Sequence, residues 1–182
     1  MKRFRELGDT PVSSPLSAED IFELHAARLV LLLKHCGVKT RIDGLTKLAK
    51  LDFFVRYPDF FGKAAQTIGA QSLEVSVVSE SSMVRYRYGP WDDRYYHLLS
   101  YLESTNLINV VRMGNSYRIT LTQNGNEVAT TISKDSSHAT LIQHMKNVKK
   151  VMGSKGGTTL KNLIYELFDT EIAARSLGEV IV

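Results

Sequence analysis

At 182 residues, with 43% apolar and 23% charged content, the chain is long enough for a small cored domain with helical additions and too apolar for wholesale disorder. A net charge of +4 does not by itself mark a nucleic-acid binder. The apolar run Leu29 to Leu33 is far short of the ~20 residues a membrane span needs, and the basic residues near Met1 are not followed by a signal-peptide core. A single cysteine, Cys36, excludes an internal disulfide framework and fits a reducing compartment, so a cytoplasmic location is expected.

Residues 1–16, with Pro11 and Pro15 around two serines, read as an N-terminal arm. Ser17 offers a helix N-cap with Asp20 three residues on, and the spacing predicts a first helix from Ala18 to His35. Its buried stripe would be Ile21, Leu24, Ala27 or Arg28, Leu31 and Leu32, with Gly37 as the breaker. A second helix starts near Asp43-Gly44, turns Leu45, Leu48, Leu51, Phe54 and Val55 inward and Lys47 and Lys50 outward, and stops at Pro58. Phe60-Phe61-Gly62 reads as a turn or short helical piece, and Leu73 to Val78 alternates as a strand does.

Met83 to Tyr88 mixes β-branched and aromatic residues with arginines and reads as a short strand that Gly89-Pro90 stops. Asp92 or Asp93 can cap the next helix, Asp93 to Thr105, in which Tyr95, Leu98, Leu99 and Leu102 share one face. Asn106 ends it. Leu107 to Arg112, the Gly114-Asn115 turn and Tyr117 to Leu121 make a hairpin. Thr122 then caps a helix from Gln123 to about Thr131, interrupted by Gly125. Helix, two-stranded wing and closing helix, in that order, give an expected α+β fold with a winged helix-turn-helix core spanning 17–133. A helical extension, 134–182, follows. In it His138 to Met152 is amphipathic through Leu141, Met145, Val148 and Met152. Gly153, Gly156 and Gly157 form a flexible break, and Thr158 or Thr159 caps a helix bearing Leu160, Leu163, Ile164 and Leu167. Glu171 to Val182 is apolar on one side and is expected to dock.

Chemistry is sparse. The histidines at 25, 35, 97, 138 and 144 form no i, i+4 metal pair and read as surface or boundary residues. Gly153-Ser-Lys-Gly-Gly lacks P-loop spacing and follows a helix instead of a strand. No catalytic constellation or cofactor motif can be assembled, and the expectation is a non-enzyme without cofactor or metal.

Charge, by contrast, is segregated: Lys134 to Lys161 holds six lysines and one acid, and Asn162 to Val182 one arginine and four acids. The helix before the wing exposes Asp93, Tyr96, His97, Ser100, Glu103 and Ser104, with Arg94 at one end. A face that sits in the major groove should neutralise phosphates, and this one is not basic. Protein contact is therefore favoured over base readout, through Trp91, Arg94, Tyr96 and His97. Arg85, Arg87, Lys146, Lys149, Lys150 and Lys155 remain candidate phosphate contacts, against the alternative of an ordinary solvated face.

The blocks LTKLAKLDFFVRYP (Leu45 to Pro58), VRYRYGPWDDRYYHLLSYLESTNLI and YRITLTQNG, within roughly Ala18 to Ile132, resemble the middle component of ABC-three-component systems, the small subunit of Lamassu-type bacterial antiphage operons. The resemblance implies a non-catalytic winged-helix subunit bound to an SMC-like ATPase and to a separate effector, commonly a nuclease, with non-specific double-stranded DNA contact through the complex. The YGPW turn and LT-x-x-G wing exit also occur in broader winged-helix families, so the alternative is a stand-alone DNA-binding regulator or antitoxin.

Overall fold

The computed structural model describes residues 21–70, 83–86, 89–168 and 180–181. The arm at 1–16, the Ser17 cap with Asp20, the expected strand at Leu73 to Val78, Arg87 and most of the tail lie outside the described residues. So does the side chain of Arg85.

A single helix organises the packing. Helix α1, Phe22–Cys36, starts after an extended Ile21, and every side chain from Arg28 to Leu33 is buried. Burial all round means that other elements enclose it, and α2 (Leu45–Arg56), α4 (Tyr95–Ser104), β5 (Ser116–Leu121), α5 (Gln123–Ile132) and α6 (Ala139–Met152) all pack on it. Leu24, expected in the stripe, is 47% exposed. Gly37 ends the helix without a positive φ, at −69°. Its role is close approach, because a Cβ there would sit 2.3 Å from the Leu33 carbonyl oxygen and 2.8 Å from the Arg41 nitrogen. The chain reverses through Lys39 and Thr40, both left-handed at φ 52° and 57°, into β1, Arg41–Asp43.

Helix α2, Leu45–Arg56, and α3, Pro58–Thr67, meet at Tyr57. Pro58 stops one helix by lacking an N–H and starts the other at a position where none is needed. The turn expected at Phe60-Phe61-Gly62 is thus part of a ten-residue helix. Leu48, Leu51, Phe54 and Val55 face inward, yet burial runs unbroken from Leu48 to Tyr57. Lys50, expected to point outward, is 1% exposed. Its Nζ donates to the Pro90 carbonyl oxygen at 2.8 Å, and burial, with Lys161 nearby, pushes its pKa down to about 7. Since the unfolded chain holds that proton up to about pH 10.5, folding releases it between pH 7 and 10.5, and this lysine makes stability rise with pH across that window. Lys50→Met should leave the melting temperature at pH 7 unchanged or higher and remove that rise; paired thermal melts at pH 7 and 10 check it.

Gly89-Pro90 does not stop the strand before it. Strand β2, Met83–Tyr86, pairs antiparallel with β3, Gly89–Trp91, with Pro90 opposite Arg85. On the other edge of β2, a two-residue strand β6, Val180–Ile181, pairs with Met83 and Val84, so this part of the tail docks. Pro90 is tolerated because β3 is an edge strand that needs no outward donor.

Helix α4, Tyr95–Ser104, closes in a Schellman arrangement: Asn106 takes φ 56°, its N–H donates to Glu103, and that of Leu107 donates to Leu102. Strands β4, Ile108–Met113, and β5, Ser116–Leu121, form the hairpin around Gly114-Asn115, and β1 pairs with the free side of β5, giving the order β1-β5-β4. Helix α5, Gln123–Ile132, is capped by Thr122, whose Oγ1 accepts from Gly125 at 2.9 Å. Gly125 does not interrupt the helix; it is buried, and a Cβ there would lie 1.9 Å from the Leu107 carbonyl oxygen.

Helices α6, Ala139–Met152, and α7, Gly157–Phe168, add Met145, Val148, Met152, Leu160, Ile164 and Phe168 to the core that α1 and α2 share. The connection at Gly153, Gly156 and Gly157 is packed instead of loose. A Cβ on Gly153 would meet the Lys149 carbonyl oxygen at 2.5 Å, and one on Gly157 the Lys47 nitrogen at 2.9 Å. Thr158 and Thr159 already lie inside α7 and do not cap it. The fold is α+β: among the described residues, helices enclose α1 and the strands form two small antiparallel sheets.

Candidate interaction surfaces

Beneath the start of α4 lies a buried ion network. Asp92 is 3% exposed, and its carboxylate accepts from Arg56 Nη1 at 2.8 Å, Arg94 Nε and Nη2 at 2.8 Å each, and the Arg94 backbone N–H at 3.0 Å. Burial alone would raise its pKa, but the Arg94 hydrogen bonds and the Arg56 charge outweigh it and hold the group at about 2. Asp52, on α2, accepts from Arg28 Nε at 2.9 Å and from the Tyr95 hydroxyl at 2.7 Å. Burial, and then the Asp52 charge, push the Tyr95 phenol well above its ordinary pKa. His25 lies between Arg28 Nη1 and Arg94 Nη1, one at each ring nitrogen. A neutral imidazole accepts at one nitrogen only, so one of these contacts sets two N–H groups against each other.

This network corrects two expectations. The histidines are not all surface or boundary groups, because His25 and His144 are 3% and 0% exposed. Asp92 and Asp93 are not equivalent caps: Asp93 is exposed, and Asp92 ties α4 to α1 and α2. Arg94 is turned to Asp92 and His25, away from the exposed face where it was expected.

That face itself is aromatic. Tyr96 is 63% exposed, His97 is exposed, and Trp91 is half-buried, edge-on to Tyr95 at 5.2 Å and 6.0 Å from Tyr96. Directly opposed residues of antiparallel strands share a face, so Val110 with Ile119 and Arg112 with Tyr117 extend the core side of the hairpin outward. Between it and α4 lies a groove of about 200 Å³ lined by Tyr96, Leu99, Val110, Tyr117 and Ile119. Glu103 spans one end, its Oε1 accepting from the Val110 N–H at 3.1 Å. A second concavity, about 330 Å³, lies between the starts of α2 and α7, where Lys47 donates to Gly153 and Asp43 accepts from Arg118.

The basic face is formed chiefly by α1 and α6. Lys146, Lys149 and Lys150 are exposed on α6, and Lys155 is half-buried at the joint with α7. The last turn of α1 brings Lys34 and His35 against them. Lys34 Nζ is held by Asn126 Oδ1 and Thr130 Oγ1 at 2.8 Å each, and His35 Nε2 lies 3.0 Å from Ser133 Oγ. Burial first, then the charges of Lys146, Lys34 and Lys149, lower the His35 pKa to about 4.

Sequence reasoning missed Lys34 here because it falls in an apolar helix remote along the chain, and only its place in the last turn, where a cation suits the helix dipole, hinted at exposure. It also missed Tyr117, which it read only as the start of the second hairpin strand. Among the described residues no group of three His, Cys, Asp or Glu side chains could hold a metal ion, and no helix is long and apolar enough to cross a membrane. Compared with known proteins, the chain matches no family model and no curated protein.

Proposed function

We propose that the chain is a non-catalytic winged-helix subunit of an SMC-like ATPase antiphage complex, joining the ATPase to a nuclease-type effector in the cytoplasm and assisting DNA contact. The element order α1, β1, α2, α4, β4, β5, with α3 and the β2–β3 hairpin inserted before α4, supports a winged-helix reading. The resemblance of the LDFFVRYP and RYGPWDDRYY blocks to the middle component of such systems supplies the complex.

The observation that carries the reading is the aromatic surface of α4 and the wing. Of the exposed large apolar side chains among the described residues, Tyr96, Tyr101, Val111, Met113 and Tyr117 all belong to α4, β4 and β5. Aromatic groups and methionine are enriched where proteins meet proteins, and a helix presented to DNA would carry cations instead. Trp91, Tyr96 and His97 then contact the partner, with Arg94 holding the start of α4 in place.

Tyr96→Ala with Tyr117→Ala should weaken co-purification with the ATPase and effector encoded beside the gene at least tenfold and shift the melting temperature little, since both side chains are exposed. Undiminished capture of the neighbouring gene products by the folded double variant would reject the interface.

A further inference from the structure

We infer that the face built by Lys34 on α1 and by Lys146, Lys149 and Lys150 on α6 docks the phosphate backbone of double-stranded DNA. The inference deepens the DNA contact of the proposed function and rests on that reading, while the site and the class of its partner are argued from the structure. Three observations carry it.

First, the lysines form one site although they come from two elements. Lys146, Lys149 and Lys150 stand at i, i+3 and i+4 and so are neighbours on the helix surface. The last turn of α1, which carries Lys34, lies against α6, where the Cys36 thiol donates to the Met145 carbonyl oxygen at 3.2 Å, one residue before Lys146. Second, nothing on α6 neutralises them, because its fourteen residues include no Asp or Glu. Lys34 is also fixed in place by Asn126 and Thr130, and contributes a stationary charge.

Third, the surroundings select the class of partner. Among the described residues, no exposed large apolar side chain lies on α5 or α6, and those on or beside α1 are single, Leu24 toward its far end and Val38 just past Cys36. A protein partner would want an apolar centre within a polar rim, and a single strand would want aromatic platforms for its bases. Cations on a polar surface without either suit a duplex backbone, where contacts are charge to charge and carry no sequence information. The aromatic groups lie on α4 and the wing, so protein and DNA would take separate surfaces of one body.

The test uses the full chain, alone and with its neighbouring gene products, and two 20-bp DNA duplexes of unrelated sequence. The free chain should bind both alike and weakly, at roughly 10⁻⁴ to 10⁻⁶ M. Each phosphate contact adds about 0.9 to the slope of log affinity against log salt, so changing Lys146, Lys149 and Lys150 to Gln together should flatten it by about 2.7. His35 gives a local readout. Duplex phosphates would offset the charges of Lys34, Lys146 and Lys149 that face it, beside the Ser133 hydroxyl, so its NMR titration midpoint should rise on binding. An unchanged salt slope with an unmoved His35 would overturn the inference. So would a triple variant that loses the ATPase and keeps duplex binding, since the face would then be a protein interface. Loss of duplex binding with the ATPase still captured supports it. Failure of the Tyr96 and Tyr117 variants to disturb capture removes the proposed protein interface and leaves this inference standing.

Discussion

Replacing Asp92 with alanine should cost about 3–5 kcal/mol of folding stability, whereas the same change at its neighbour Asp93 should cost less than ~0.5 kcal/mol. The two residues are chemically identical and adjacent, so the difference isolates environment. Asp92, itself buried, is the shared acceptor of Arg56, which is fully buried, and of Arg94, which is 25% exposed. Taking it away leaves those guanidinium groups without the carboxylate that offset their desolvation, and a domain of this size has only about 5–15 kcal/mol to lose. Asp93 is solvated and offsets nothing. Urea denaturation followed by circular dichroism measures both, and equal midpoints would refute the network's structural role.

Gly125→Ala should be the next most damaging change, with a cost of about 3 kcal/mol or more. Intrinsic propensity argues the other way, since alanine in a helix interior is favoured over glycine by about 1 kcal/mol. Sterics decide, because the added methyl group would fall 1.9 Å from the Leu107 carbonyl oxygen. That oxygen is backbone, and it accepts from the Thr122 N–H at 3.1 Å, so it cannot turn aside as a side chain would. The expected result is a much lower melting temperature together with chemical-shift changes at Leu107 and Thr122. A variant as stable as the parent would show that α5 can slide on the hairpin.

Periodicity made the helices legible because each buries one stripe, and Tyr95, Leu98, Leu99 and Leu102 announce α4 directly. Thr122 and Asn106 were equally readable, since an N-cap and a left-handed C-terminal residue depend on local chemistry alone. What local chemistry cannot report is what lies across a contact. Lys50 and Asp92 look solvated until Pro90, Arg56 and Arg94 are seen around them. Glycines at 125 and 157 resemble breakers because their value lies in approach to Leu107 and Lys47, residues distant along the chain or outside the helix. The aromatic α4 surface was foreseeable from helical phase at Tyr96, whereas the Lys34 part of the basic face came only from the packing of α1 on α6.

The two sequence blocks that stand out most, LDFFVRYP and RYGPWDDRYY, supply Asp52, Arg56, Asp92, Arg94 and Tyr95, the groups that interlock inside the protein. Such residues are heritable as a set: a change in one arginine is tolerable only when its carboxylate changes with it. They therefore hold the scaffold together, while exposed positions such as Tyr96, Ser100 and Tyr117 can be exchanged without disturbing it. A lineage that kept the interlocked set and exchanged those three would inherit this architecture and acquire a different partner.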